Sequence, residues 1–246
     1  SIGIQAQEFS ENFVDKTLRI DYILSGNSSS QTVSLNQLNE LPQWAGRRTN
    51  LSRLLWKGNG QIKMTNAETG KCIYTDSFST LFQEWQTTPE AETVNKSFEN
   101  SFLLPFPKEK VNIEVLLRKK DGSYESAITH IIDPADILIK KIGQKNIPLY
   151  TAIHQGGAID KCINVAILAE GYTVEEMSKF REQAKLACKY ILEHEPFDKL
   201  KDKFNFYAVE TVSNESGVSV PRDNDWRQTV FSSHFDTFYS DRYLTT

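Results

Sequence analysis

The chain has 246 residues, enough for one large domain or two ordinary ones, and 39% of them are hydrophobic against 24% charged. That balance is typical of a folded globular protein and excludes an intrinsically disordered chain. The net charge of −4, with basic residues scattered along the chain, argues against nucleic acid as a partner. No apolar stretch approaches the roughly 20 residues of a transmembrane helix.

The first half of the chain shows about seven short apolar runs with turn signals between them, which favours an antiparallel β-sandwich. Apolar and polar side chains alternate through residues 17–24, as in a half-buried strand. Turn-forming residues at 66–70 separate the runs 61–65 and 71–75, which we expect to pair as a hairpin. Residues 78–85 predict a short helix or an irregular aromatic segment at one end of the sandwich. The remaining strands are predicted at 32–38, 97–104, 111–117 and 124–132.

We expect two domains joined by a linker. The sandwich pattern ends near Gly143, and the following stretch carries Pro148, Gly156 and Gly157 without sustained periodicity. The predicted organisation is a sandwich domain at 1–143, a linker at 144–158 and a second domain at 159–246.

The second domain is predicted to start as a strand, a helix and a second strand, so the fold class is α+β. Residues 163–169 are almost continuously apolar, which is typical of a strand buried on both faces of a sheet. Thr173 and Glu176 match a capping box that opens a helix. The helix should end before Pro196, because the residue preceding a proline disfavours helical geometry. Residues 204–209 predict the second strand, and this order usually gives a right-handed crossover between parallel strands.

The cysteines do not decide the compartment. Cys72, Cys162 and Cys188 are far apart, so the chain has no Cys-x-x-Cys pair for a metal or for redox chemistry. We expect Cys162 and Cys188 to be small core residues. The alternative is one disulfide in an exported protein.

Known catalytic motifs are missing or incomplete. His194 and Glu195 begin like the zinc-protease motif H-E-x-x-H, but Pro196 follows, and Asp198 stands where the second histidine is required. The sequence shows no Gly-x-Ser-x-Gly elbow and no phosphate-binding glycine loop. Asp223-Asn-Asp225 places oxygen ligands at alternate positions, but the later glycine and glutamate of a calcium loop are missing.

One polar and aromatic cluster near residue 240 is a candidate site. His234, Asp236 and Arg242 lie close together in the sequence, with Asp241 between them. They are candidates for lining a site. The alternative is a packed loop in which these polar groups only satisfy one another.

Several motifs in the same order resemble bacterial IgA-peptidase-like zinc metallopeptidases. The second half is similar to the opening of their catalytic domain. It matches through INVAILAEGYT (163–173), EM (176–177), Phe180, EPF (195–197), FN (204–205) and SGV (216–218). The first half is similar to the N-terminal domain that precedes it in Bacteroidetes members. It matches through TLRIDY (17–22), WAGR (44–47), FQEW (82–85) and SFEN (97–100).

The resemblance implies a β-sandwich followed by a zincin-like catalytic domain in a secreted, periplasmic or surface-attached endopeptidase, after removal of a signal peptide. Zinc in such enzymes is bound by the two histidines of an H-E-x-x-H helix and a third ligand, and these lie downstream of the part that matches this chain. We therefore expect residues 159–246 to be an incomplete, inactive part of a catalytic domain with apolar surface exposed. Glu170, which stands where many relatives carry aspartate, is a further candidate for lining a site. We expect it to order the turn into the helix rather than to perform catalysis.

Three interpretations follow. The leading one is the N-terminal portion of a zinc peptidase whose substrate is a protein or peptide, including a host glycoprotein. The alternative is a non-catalytic extracellular module that binds protein or glycan. A third is a hydrolase that uses residues 234–242 without zinc.

The small residues before Ala6 are compatible with the remnant of a signal-peptide cleavage region.

Overall fold

The computed structural model describes residues 9–246, so the cleavage-region expectation at Ala6 lies outside it. The chain divides into two compact units between Asn146 and Ile147. The strands form three sheets, and helices are present beside them, which confirms the α+β class. None of the described helices is long and apolar enough to span a bilayer.

Within the described residues, the first unit consists of two four-stranded sheets. Their strand orders are β5-β1-β2-β8 and β4-β3-β6-β7. All neighbouring strands are antiparallel except β2 and β8, which confirms the predicted antiparallel sandwich. The strands are β1 (Phe13–Gly26), β2 (Gln31–Leu41), β3 (Gly60–Asn66), β4 (Cys72–Phe78), β5 (Lys96–Pro107), β6 (Val111–Arg118), β7 (Tyr124–Ile132) and β8 (Lys140–Lys141).

The core of the first unit lies between the two sheets. Phe78 of one sheet contacts Phe102 of the other, with 4.4 Å between ring centroids. The short helix α1 (Leu81–Trp85) buries Phe82 and Trp85 completely. Within the predicted segment 78–85, residues 81–85 are helical and pack as an aromatic plug, whereas Phe78 belongs to β4. Large aromatic rings bury much apolar area, so these contacts stabilise the sandwich strongly.

Strand β5 is longer than the sequence predicts. It continues through Pro105 and Pro107, which pair with β1 although the sequence suggests a break there. Strand β5 lies at the edge of its sheet, and a proline without an N–H group is tolerated where the strand has a partner on one side only.

The second unit contains a three-stranded sheet and one long helix. Strands β10 (Ile163–Leu168) and β11 (Phe204–Val209) pair in parallel, as predicted, and β9 (Tyr150–Gln155) is antiparallel to β11. The sheet order is β10-β11-β9, and helix α2 spans Met177–Glu193. Short 3-10 helices span Pro89–Glu92 in the first unit and Val174–Glu176, Phe197–Lys199, Lys201–Lys203, Pro221–Asp223 and Thr237–Tyr239 in the second unit.

Helix α2 follows the predicted capping box. The backbone amide of Thr173 donates to Glu176 Oε2 at 3.1 Å, and a 3-10 turn leads into the helix. Apolar residues at spacings of three and four face the sheet, where the helix packs against β11 and its neighbours. The buried residues of α2 are Met177, Phe180, Ala184, Cys188 and Leu192.

Two expectations about the second unit are wrong. The apolar strand β10 is not buried on both faces, because it lies at the edge of the sheet, and Ile163 and Leu168 are 59% and 47% exposed. The segment 144–158, predicted as a linker, contains β9, whose alternation is too short to give a clear sequence signal. Cys188 is buried as expected, but Cys162 is only partly buried, and all three cysteines are free.

One polar pair crosses the core of the sandwich. The hydroxyl of Tyr22 on β1 lies 2.6 Å from Nε2 of His130 on β7. Burial raises the pKa of Tyr22 and lowers the pKa of His130 from its ordinary value of 6.5. Both groups are therefore neutral at pH 7, and their hydrogen bond joins the two sheets.

We predict that Tyr22→Phe destabilises the chain by about 1–3 kcal/mol, because the imidazole loses its partner inside the sandwich. Urea unfolding followed by fluorescence measures the change. Tyr190→Phe is the matched control, because Tyr190 is 55% exposed on α2. Equal effects of the two substitutions would contradict the assigned role of the hydrogen bond.

We also predict that stability falls as the pH drops below about 6.5. A histidine with a lowered pKa binds fewer protons when folded than when unfolded, so acid favours the unfolded state. The free energy of unfolding should show this slope between pH 7 and pH 5. The slope should shrink in His130→Gln and persist in His194→Gln; a slope unchanged by His130→Gln would refute the prediction.

Candidate functional site

The turn after β10 organises the second unit through one carboxylate. Glu170 accepts hydrogen bonds from the Thr229 hydroxyl, from the Phe231 amide at 3.1 Å and from the Ser233 amide at 3.0 Å. These donors lie 59 to 63 residues further along the chain. Residues 229–233, here called the anchored loop, are thus bound at three positions by one carboxylate.

The same contacts keep Glu170 ionised. Burial by itself would raise the pKa of this carboxyl, but hydrogen bonds from Thr229, Ser233 and Phe231 outweigh it, and the pKa falls below the ordinary 4.5. A carboxylate that accepts several hydrogen bonds is well suited to holding a loop in place. The structure thus supports an ordering role for Glu170, on the anchored loop as well as on the turn.

Gly171 allows the chain to turn sharply beside this carboxylate. Its φ is +71°, and a β-carbon here would lie 2.1 Å from the backbone oxygen of Gly217, so no other residue fits. The buried Ser213 hydroxyl accepts the amides of Gly171 and Val230, each at 3.1 Å. The turn, the segment from 213 to 217 and the anchored loop therefore form one hydrogen-bonded assembly.

The helix start belongs to the same assembly. One oxygen of Glu176 accepts the amide of Thr173, and the other accepts the hydroxyl of Ser216 at 3.0 Å. The sequence identifies the first contact because a capping box is local. It does not reveal the second contact, since the two residues lie 40 positions apart.

Asp236 is paired with Arg222, a residue that sequence patterns do not single out. The Nε atom of Arg222 lies 2.8 Å from Asp236 Oδ1, and Nη2 and the backbone amide of Arg222 also donate to this carboxylate. This hydrogen bonding lowers the pKa of Asp236 and raises the pKa of Arg222. The two residues are 14 positions apart in irregular structure, where no periodicity predicts a contact.

The structure brings the predicted site residues together only in part. Glu170 binds the amide of Ser233, which directly precedes His234, and His234 Nδ1 lies 2.7 Å from a backbone oxygen. Asp236 is engaged by its own ion pair. The guanidinium of Arg242 forms no ion pair within residues 9–246. A site-lining role for these four residues stays a prediction.

The described residues do not fit a zinc centre. Among residues 9–246, no three histidine, cysteine or acidic side chains lie close enough together to hold a metal ion. His194 caps α2, with Nδ1 2.9 Å from the backbone oxygen of Tyr190, and Glu195 pairs with Lys199 at 2.6 Å. The partial H-E motif is therefore the end of a helix.

Two family models match the chain in succession. The model described as Peptidase M64 N-terminus matches residues 8–129, and the model described as IgA Peptidase M64 matches residues 151–246. The first match covers most of the sandwich, and the second covers the sheet, helix α2 and the assembly around Glu170. No curated protein matches the chain significantly.

We predict that Glu170→Ala releases the anchored loop and lowers the free energy of unfolding by about 1–2 kcal/mol, since the carboxylate is only half-buried. Hydrogen exchange at the amides of Phe231 and Ser233 should accelerate. Glu182→Ala is the control, because Glu182 is exposed and pairs only with Lys185. Unchanged exchange at both amides in Glu170→Ala would disprove the anchoring role.

Proposed function

Since the chain belongs to the M64 family of IgA-peptidase-like metallopeptidases, we propose that it is the N-terminal portion of a secreted or surface-attached zinc endopeptidase of a Bacteroidetes-type bacterium. The sandwich, proposed as domain 1–143, acts as an accessory domain that presents substrate or places the enzyme at the cell surface. Residues 159–246 form the first part of a zincin-like catalytic domain. The observation that carries the proposal is the order of the two family matches along one chain.

The exposure of β10 supports the idea that more polypeptide completes this sheet. Its sequence is apolar on both faces, and such strands normally occur in sheets that are covered on both faces. In this chain α2 covers one face, and Leu168 on β10 remains 47% exposed. A further segment of the parent enzyme would bury this surface.

The zinc ligands are proposed to come from the polypeptide after residue 246. Zinc supplies a Lewis acid and an activated water when it is bound. The motif that binds it in the family does not occur in this sequence, so no catalytic step is assigned to residues 1–246. The proposed contribution of the present residues is structural: Glu170 and Glu176 hold segments that follow β11 against the turn between β10 and α2.

The proposed substrate is a protein or peptide, including a host glycoprotein. No described residue determines which bond is cleaved, because bond choice depends on the surroundings of the metal.

The proposal is tested by isolating the protein from its native host and measuring its intact mass and zinc content. We expect a mass well above 28.1 kDa, zinc bound in proportion to protein, and proteolysis that a chelator abolishes. The 246-residue chain produced alone should bind little zinc and cleave nothing. A native mass of 28.1 kDa without zinc would overturn the proposal and favour a stand-alone binding module.

A further inference from the structure

A polar groove of about 860 Å³ lies at one end of the sandwich. It is formed by the β1–β2 turn, the β6–β7 turn, the residues at the end of α1 and the residue before β3. Strands from both sheets contribute to it. Every residue that lines it is polar or charged, and no aromatic or aliphatic side chain is among them.

Side-chain amides tie the walls of the groove together. Gln86 Nε2 donates to the backbone oxygen of Asn27 at 2.7 Å, which joins the end of α1 to the β1–β2 turn. Gln83 Nε2 donates to the oxygen of Asn59 at 2.8 Å. These cross-links connect segments that are distant in sequence, so the groove exists before any ligand binds.

The β6–β7 turn supplies the charge. Arg118 and Lys120 form no ion pair within residues 9–246, whereas Lys119 lies 3.6 Å from Glu125. The carboxylate of Asp121 accepts the amide and hydroxyl of Ser123 and so closes the turn. Among the described residues, Arg118 and Lys120 therefore lack a direct ion-pair partner, and the three cations of the lining exceed its two carboxylates by one. This local excess of positive charge stands on a chain whose net charge is −4.

The side chain of Arg118 lies close to this turn. Gly122 adopts φ +85°, and a β-carbon there would make an ordinary van der Waals contact with Arg118, 3.4 Å from its Nη2. The guanidinium therefore lies over the turn, where its planar donors are open to a carboxylate or sulfate group. Arginine binds such anions through paired hydrogen bonds.

We propose that this groove binds an acidic sugar, with Arg118 and Lys120 on its carboxylate and the hydroxyl and amide groups of the groove on its hydroxyls. The serines of the β1–β2 turn, together with Gln31 and Thr87, supply acceptors and donors for a polyhydroxylated ligand. A peptide with apolar side chains is disfavoured because no aliphatic or aromatic residue lines the groove. Single-stranded nucleic acid is disfavoured because no aromatic ring is available for stacking.

This inference goes beyond the proposed function and does not depend on it. Binding requires residues of the first unit alone, and it makes no use of zinc or of residues after 146. A failed test would therefore leave the peptidase proposal untouched. Failure of the peptidase proposal would likewise leave the proposal for the groove untouched.

The test is a titration of the 246-residue chain with sialyllactose, followed by amide chemical shifts at low salt, with lactose as the neutral counterpart. We expect shifts at the β1–β2 and β6–β7 turns with sialyllactose and almost none with lactose. Arg118→Gln should weaken binding about tenfold. Glu125→Gln should strengthen it by up to about fivefold, because it removes a negative charge and releases Lys119.

Lys71→Gln is the matched control. Lys71 is an exposed lysine in the β3–β4 turn and does not line the groove, so this variant changes the net charge equally and should bind as the native chain does. Native-like binding by Arg118→Gln, or equal loss in Lys71→Gln, would overturn the proposal. So would equal binding of lactose, or tighter binding of a polyglutamate peptide than of sialyllactose.

Discussion

The second unit depends on the hydrogen bonds that the carboxylate of Glu170 accepts. This residue stands directly after β10 and takes hydrogen bonds from a loop about sixty residues later. A partly buried carboxylate is costly unless donors surround it, and here the donors are mostly backbone amides of that loop. Strand end, helix start and loop are consequently coupled. The sheet positions the carboxylate, and the carboxylate holds the anchored loop, which directly precedes the candidate residue His234.

The sheet of this unit is covered unevenly. Helix α2 packs on one face through a stripe of apolar residues, while Leu168 and Tyr150 remain largely exposed. The sequence of β10 is apolar on both faces, a pattern that normally occurs in strands of sheets covered on both faces. This pattern supports the proposal that a further segment covers the exposed face of the sheet.

The sandwich differs from the second unit, because its apolar core lies between its own two sheets. Aromatic rings fill the space between the two sheets, and the pair of Tyr22 and His130 is the polar contact that crosses it. At one end, turns from both sheets meet in a groove lined by polar and charged residues, in which Arg118 and Lys120 form no ion pair within residues 9–246. A rigid scaffold that presents turn residues at its end is a common arrangement for recognition.

The sequence by itself determined what depends on neighbours a few residues apart. Alternation predicted the strands of the sandwich, a capping box predicted the start of α2, and ordered motifs indicated the family. Only the tertiary structure decided which distant residues meet. The binding of the anchored loop by Glu170, the pairing of Arg222 with Asp236 and the polar groove all join residues far apart in the chain. The one-sided burial of β10 was also decided there, because burial depends on what packs against a strand and not on its own pattern.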